Sequence, residues 1–404
     1  MSFISYENSV NMLELLKLAT PRRERVFLSD ALGRVLFDDI VADDNFPKFP
    51  TAAMDGYAIV YDDQEWGEIA VLGDNPAGNA ERLHVESGHC IKTFTGSRMP
   101  EGADTLIPVE NVTFDGEKIL IDKAVPHGFS VRPTGESYRH GELLIPKGTH
   151  IGFAQIGVMA GLDRVMIDVV RKPKVAIIAT GSEILDIGQI ADHENQIRST
   201  NHITIEALAR MAGAEVIRLG VVGDDFDALM RTFESALCDV DMVVSTGGVS
   251  VGDYDFVKDI IPKLGAQVIF KGVRIKPGQH LMLAQKEEKT LLALPGFAYS
   301  STVTFILYGI PLIARYLGKE NALDIIEARL KEPYKKHPGK SAFSACNLSF
   351  EEGSYWIDFK GKKNGSSAIL TNLLDDAALM ISGEEDGALE AGTSVHVIKL
   401  NQFL

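Results

Sequence analysis

The sequence predicts a multidomain α/β plus β protein: a doubly wound, mostly parallel α/β domain, with an inserted β-domain before it and a C-terminal β-domain after it. Three observations carry this. Between 171 and 318, apolar β-branched runs alternate with helically spaced apolar residues, the pattern of a parallel sheet covered by helices. Between 45 and 138, short β-type runs sit among Gly, Asp and Pro clusters. Beyond 319, alternating strands return.

In chain order, the first 43 or so residues read as helical, with Val10, Leu13, Leu15, Leu16 and Leu18 on one apolar face. Together, 1–44 and 139–170 form an expected helical/β linker domain. Phe46-Pro47-Lys48-Phe49-Pro50 punctuates the start of the inserted β-domain, 45–138, with strands expected at Ala58-Ile59-Val60, Ile69–Leu72, Thr105–Val109 and Lys118–Ile121. The α/β domain, 171–318, opens on Lys174–Ala179, an apolar run suited to a strand buried on both faces. A helix from Ile203 to Met211 and a strand from Val216 to Val222 follow. Asp225 is placed to cap a helix whose Leu229, Phe233, Ala236 and Leu237 share one face. Further strands are expected at Met242–Ser245, Val268–Phe270, Leu281–Ala284 and Leu291–Leu294, with a helix from Val257 to Leu264 and a hairpin tip at Lys286–Lys289. The C-terminal β-domain, 319–404, includes strands at Tyr355–Phe359 and from Ser394 to Ile398.

Composition narrows the function. A net charge of −16 and a pI near 5.1 argue against nucleic acid or an anionic membrane as partner. Three cysteines, far apart and without C-x-x-C pairing, argue against zinc, iron–sulfur and disulfide frameworks and fit a reducing, cytoplasmic setting. Glu7, Glu14 and Lys17 interrupt any signal-peptide pattern. The uncharged stretch Leu291–Ala314 holds two prolines and two glycines, so a buried strand, a turn and a core helix explain it better than a membrane span.

In an open α/β sheet, ligands bind beyond the carboxyl ends of the strands. Those ends carry Thr180-Gly181-Ser182-Glu183, then Gly223-Asp224-Asp225, then Thr246-Gly247-Gly248-Val249-Ser250-Val251-Gly252-Asp253-Tyr254-Asp255. Glu183, Asp224 and Asp255 thus approach one edge, and converging carboxylates suit Mg²⁺ beside a phosphate. The Gly247-Gly248 turn before a helix suits an anion through backbone N–H groups and the helix N-terminus. Gly248-Val249-Ser250-Val251-Gly252 also matches a nucleophile elbow, but no HGGG-type oxyanion motif precedes it. Lys276-Pro277-Gly278 offers a cation at a tight turn. Ser300, after Leu294-Pro295-Gly296, is either an anion donor or a helix N-cap.

Taken together these motifs resemble the MoeA family of molybdopterin molybdenumtransferases, which includes the C-terminal domain of gephyrin. Nearly the whole chain takes part. The most specific element is Ala53-Met54-Asp55-Gly56-Tyr57-Ala58; Thr95-Gly96 with Met99-Pro100-Glu101-Gly102-Ala103 is another, and Gln196 to Asn201 joins the strand-end motifs above. The resemblance implies Mg²⁺-assisted insertion of molybdate into adenylylated molybdopterin with release of AMP. It also implies a homodimer of four-subdomain chains, with a cleft shared between protomers, and a partner adenylyltransferase that makes the substrate. Catalytic positions would be Asp55, Thr95, Glu183, Asp224 and Asp255, with the last three at the metal. Substrate-binding positions would be Gly247, Gly248, Ser250, Lys276, Pro295, Ser300, Lys340 and Ser366, with Lys276 and Ser300 on the molybdate.

Four departures from the family pattern stand out. A carboxylate is replaced by Ser137 in Arg132-Pro133-Thr134-Gly135-Glu136-Ser137. One cation is lost in Lys276-Pro277-Gly278-Gln279-His280. The Pro-Gly-Asn-Pro turn reads Pro295-Gly296-Phe297-Ala298. In the C-terminal domain, Gly339-Lys340 replaces Gly-Arg, and Phe343-Ser344-Ala345 replaces Phe-x-Arg. Lysine lacks arginine's bidentate fork and glutamine carries no charge, while His280 restores a cation only when protonated. Compensation is expected from Lys335, Lys336, Lys360, Lys362 or Lys363. The alternatives are a paralogue using tungstate and a non-catalytic pterin-binding scaffold.

Overall fold

The computed structural model describes residues 3–250, 252, 255–320, 323–363 and 365–401. Val251, Asp253 and Tyr254 of the glycine-rich motif lie outside them. Two compact units are present: Met1–Arg25, Gly33–Val35 and Asp168–Leu404 in one, Val26–Leu32 and Leu36–Ile167 in the other.

The first unit is built on a six-stranded sheet, ordered Glu215–Val222, Lys174–Thr180, Met242–Thr246, Lys289–Leu294, Met282–Lys286, Gln267–Lys271. The first four run parallel, and Met282–Lys286 is antiparallel to both its neighbours. Lys174–Thr180 therefore lies between the next two parallel strands in sequence, and the crevice at its carboxyl end is a topological switch point. Every residue from Val175 to Thr180 is buried, as a strand covered on both faces requires. Asp225 caps the helix Phe226–Asp239, its Oδ1 accepting from the Ala228 N–H at 2.6 Å. That helix buries Leu229, Phe233, Ala236 and Leu237 on a core containing Ile178, Val243 and Leu291. After Leu294 the chain turns at Pro295-Gly296 into the helices Ala298–Thr304 and Ile310–Tyr316, joined by a π-helical turn and almost wholly buried. No helix among the described residues is long and apolar enough to cross a membrane.

The same unit ends in a barrel. Ser341–Glu351 pairs with both Ser354–Asp358 and Ala377–Ser382, and Ile325–Leu330 and Ser394–Lys399 complete the ring of five strands. Closure pairs every edge, which leaves no strand open for aggregation. The short strand Ile275–Lys276 adds to the barrel alongside Ser341 and Ala342, so Lys276 is sewn to the barrel at the backbone.

The second unit holds another six-stranded sheet, ordered Thr105–Pro108, Gly56–Ile59, His89–Thr93, Glu68–Asn75, Lys118–Ile121, Val112–Phe114. Tyr57, Ile59, Ile69, Cys90, Ile107 and Ile119 form its core. Gly56 is required by close approach: a Cβ there would lie 2.4 Å from the Ile107 carbonyl oxygen.

One expectation is corrected. The N-terminal segment is not one helical stretch: the helix is Tyr6–Glu14, capped by Ser5, and a strand occupies Arg23–Phe27. Leu13 and Leu16 are buried, but Leu15 is 81% exposed. Pro21 brings no N–H, and burial alternates residue by residue along Arg23–Phe27, as in a strand covered on one face.

Candidate functional site

At the switch point the sheet opens into a cavity of about 850 Å³. Glu183, Asp224, Gly247, Gly248, Ser250, Asp255 and Pro295 all line it, together with Asn201, His280, Phe297, Ala298 and Ala368. Strand order has brought together residues as far apart in sequence as Glu183 and Pro295. Backbone conformation sets the floor: Gly247 has φ +91, and a Cβ there would sit 2.8 Å from both the carbonyl and hydroxyl oxygens of Thr180. Its N–H donates to the Leu294 carbonyl at 3.0 Å. Of the two glycine N–H groups, that of Gly248 has no protein acceptor among the described residues. The turn does not lead directly into a helix, since Val257–Lys263 starts nine residues beyond Gly248. The helix nevertheless folds back onto the turn: the Lys258 N–H donates to the Gly248 carbonyl at 3.3 Å, and a Cβ on Gly248 would meet Val257 Cγ2 at 2.8 Å.

The three carboxylates share the cavity wall but are held differently. Asp224 Oδ2 accepts from the Ser182 N–H at 3.0 Å, and the Asp224 N–H donates to Ser182 Oγ at 3.1 Å. Asp255 Oδ2 accepts from the Gly252 N–H at 2.7 Å. Glu183 folds back over Gly181, where a Cβ would meet its Oε2 at 2.9 Å. Among the described residues, no three acidic, His or Cys side chains are gathered closely enough to hold a metal ion by themselves. Mg²⁺ rarely needs such a cage; it binds through one or two carboxylates plus substrate phosphates and water. Hard oxygen donors on the wall of an open cavity fit that mode.

A second cavity, about 370 Å³, is basic. Lys276, Lys335, Lys336, His337 and Lys340 line it with Tyr334, Ser344, Ser366 and Ser367. Among the described residues, none of Lys276, Lys335 and Lys340 is held in an ion pair. Lys336 is committed to backbone, donating to carbonyl oxygens that include Asp386 O at 3.0 Å. Of the expected compensating lysines, Lys335 and Lys336 are at this cavity, whereas Lys360, Lys362 and Lys363 are not; Lys362 donates to the Leu374 carbonyl at 3.1 Å. The two cavities share a wall: Ala298 and Ala368 line the larger, and their sequence neighbours Tyr299 and Ser367 line the smaller.

Ser300 lines neither cavity. It is 2% exposed inside the helix Ala298–Thr304, and both its N–H, at 3.1 Å, and its hydroxyl, at 3.5 Å, donate to the Ser367 carbonyl. It is neither the N-cap, which is Phe297, nor an oxyanion donor; it ties the helix to the Ser366-Ser367 loop. Ala345 is buried at 1%, but its strand neighbour Cys346 is the residue in the barrel core, so the family's second arginine position lies on the face of Ser341–Glu351 away from the barrel interior. Among the described residues no histidine is hydrogen-bonded to Ser250 of the elbow motif.

In the second unit, Thr95 donates its N–H at 2.9 Å and its hydroxyl at 2.7 Å to Asp55 Oδ1. These bonds hold the Asp55 carboxyl below the usual carboxylate range, the backbone bond contributing most. Ser137, where the family carries a carboxylate, makes a backbone bond to the Phe46 carbonyl at 2.9 Å.

Sequence reading missed two connections. Ser199 Oγ meets His202 Nδ1 at 2.5 Å, and His202 Nε2 meets Asp186 Oδ1 at 3.0 Å, which pins the start of the helix Asn201–Met211 beside the large cavity. The i, i+3 spacing of Ser199 and His202 was the available signal. Asn201 Nδ2 donates to the Gly296 carbonyl at 2.7 Å, joining the Gln196-to-Asn201 motif to the Pro295-Gly296 turn.

Comparison with known proteins agrees with this layout. Residues 4–162 match the MoeA N-terminal region (domain I and II), and 176–315 match a probable molybdopterin binding domain. Similar curated proteins include a molybdopterin molybdenumtransferase of Haemophilus influenzae, 29% identical over 97% of this chain and 97% of that protein. Another, from Bacillus subtilis, is 31% identical over 94% of this chain and 90% of its own length. The crystal structure of a molybdopterin biosynthesis MoeA protein from Pyrococcus horikoshii superposes with a TM-score of 0.83 at 29% identity, covering 98% of this chain and 100% of that one. With its switch-point cavity, its basic cavity and this full-length similarity, the chain belongs to the MoeA family of molybdopterin molybdenumtransferases.

Proposed function

We propose that this chain inserts molybdate into adenylylated molybdopterin and releases AMP, with Mg²⁺ assisting. The observation that carries the reading is the pair of wall-sharing cavities, one edged with carboxylates and glycine turns, the other with lysines. The larger takes the pterin and its phosphoanhydride: Gly248 offers a backbone N–H, Ser250 and Asn201 offer polar side chains, and Phe297 an apolar face. Glu183, Asp224 and Asp255 would hold Mg²⁺ together with substrate phosphate oxygens. When bound, the ion neutralises charge developing as the anhydride opens. The smaller cavity takes the oxyanion through Lys276, Lys335 and Lys340 with Ser366. Local cations matter because a chain of net charge −16 repels molybdate from afar. The Asp55–Thr95 pair serves the same reaction.

The proposal includes a homodimer, supply of substrate by an adenylyltransferase, and a cytoplasmic setting, consistent with the absence of cysteine pairing in the sequence. Incubation with adenylylated molybdopterin, with and without Mg²⁺ and with molybdate or tungstate in parallel, tests it. The expected result is AMP release that requires Mg²⁺ and one oxyanion and is lost in Asp55→Asn. Release supported by tungstate alone would reassign the metal. Pterin binding with no release under either oxyanion would reject catalysis.

A further inference from the structure

We propose that Gln279 is a positioning residue that locks Lys340 and His280 into one hydrogen-bonded polarity, so that an anion captured in the basic cavity is felt at the wall of the larger one. The inference rests on the transferase reading of the two cavities. Its material is three residues at which this chain departs from the family pattern, and in the structure they touch. Lys340 Nζ donates to Gln279 Oε1, across 61 residues of sequence, and Gln279 Nε2 lies 2.9 Å from His280 Nε2. Lys340 lines the basic cavity and His280 lines the larger one, with Gln279 between them.

The direction of every bond follows from the first. An ammonium has donors and no acceptor, so the Gln279 atom facing Lys340 must be the carbonyl oxygen. The amide nitrogen therefore faces His280, and it too only donates. His280 Nε2 must then be unprotonated, which leaves a neutral ring with its proton on Nδ1. Phe3 packs edge-on against this ring, centroids 5.3 Å apart at 87°, and helps to fix its plane. His280 is thus not the substitute cation that the sequence invited; Lys340 supplies the charge.

The arrangement has a second state. Lys340 is exposed, and an oxyanion is a stronger acceptor for an ammonium than an amide oxygen is. When Lys340 turns to a bound oxyanion, Gln279 Oε1 loses its donor and the amide is free to rotate by half a turn. Its oxygen then faces His280, which requires a proton on Nε2. Anion occupancy in one cavity thereby resets the hydrogen-bonding pattern of a residue in the other.

The test is nitrogen NMR of the full-length protein labelled with ¹⁵N-histidine, with His280 assigned by the signal lost in His280→Gln. Without oxyanion, the expected His280 signals are those of a neutral ring protonated on Nδ1. Sodium molybdate should shift them in the wild type, while Gln279→Leu should bind molybdate in calorimetry yet show no change at His280. An anion-free ring that is protonated on Nε2, or on both nitrogens, would overturn the lock. A molybdate response that persists in Gln279→Leu, or molybdate binding in the wild type without any response, would overturn the coupling. Absence of AMP release in the assay above would count against the transferase reading and leave the anion-free tautomer measurement standing.

Discussion

Thr95 gives two hydrogen bonds to a single oxygen of Asp55, one from its backbone N–H and one from its hydroxyl. Both favour the ionised carboxylate, so Asp55 loses its proton more readily in the folded chain than in the unfolded one. By linkage, any stability this gives is present above the unfolded carboxylate value and lost as pH falls through the lowered folded one. Thr95→Val keeps the backbone bond and removes the hydroxyl. The Asp55 carboxyl should then titrate at higher pH in a ¹³C-carboxyl NMR titration, while Thr95→Ser should leave it near the wild-type position. An unchanged midpoint in Thr95→Val would show that the hydroxyl does not tune Asp55.

Gly247 occupies left-handed backbone with no room for a side chain. Gly247→Ala should cost about 1–3 kcal/mol in urea unfolding and weaken pterin binding more than its effect on folding explains, because the cavity floor is displaced. Wild-type stability in this variant would mean that the turn is not constrained as described.

Among the described residues, the Glu183 side-chain oxygens have no backbone tie of the kind that Asp224 and Asp255 have. Glu183→Gln should raise the Mg²⁺ concentration needed for half-maximal AMP release by about tenfold, equivalent to about 1.4 kcal/mol, with little change in melting temperature. An unchanged Mg²⁺ requirement would remove Glu183 from the metal.

Restoring the family's cations should strengthen the basic cavity. In the double variant Gln279→Lys with Lys340→Arg, molybdate should saturate AMP release at a concentration about tenfold lower than in the wild type, since a guanidinium binds an oxyanion bidentately. Weaker saturation would show that the present Lys340–Gln279 pair is the better oxyanion site.

Burial separates the thiols. Cys90 and Cys346 are buried and each is pushed up to about 12, whereas Cys238 is exposed. An aromatic disulfide reagent should titrate one thiol in the native protein and all three after denaturation. Fast reaction of two or three native thiols would contradict the packing of either core.

Local chemistry made much of this architecture readable. Asp225 before an apolar face at helical spacing gave both a cap and a core, and both are present. Parallel strand order put Glu183, Asp224 and Asp255 on one cavity before any distance was known. What sequence did not reveal depends on long-range partners. Arg23–Phe27 shows no polar–apolar alternation of its own; it becomes a strand by pairing with Met166–Val170, far along the chain. Nothing local in Gly247 shows that its N–H is spent on Leu294, or that Ser300 is tied to Ser367 instead of facing an anion. The meeting of Gln279 with Lys340 requires the barrel to close and the strand Ile275–Lys276 to join it.

The central claim is tested most directly by quantifying AMP released and molybdenum bound to the pterin in the same reaction, with molybdate and Mg²⁺ present. The account predicts that the two rise together, one AMP for each molybdenum inserted. Molybdenum-free pterin retained on the protein with its adenylate intact would contradict it.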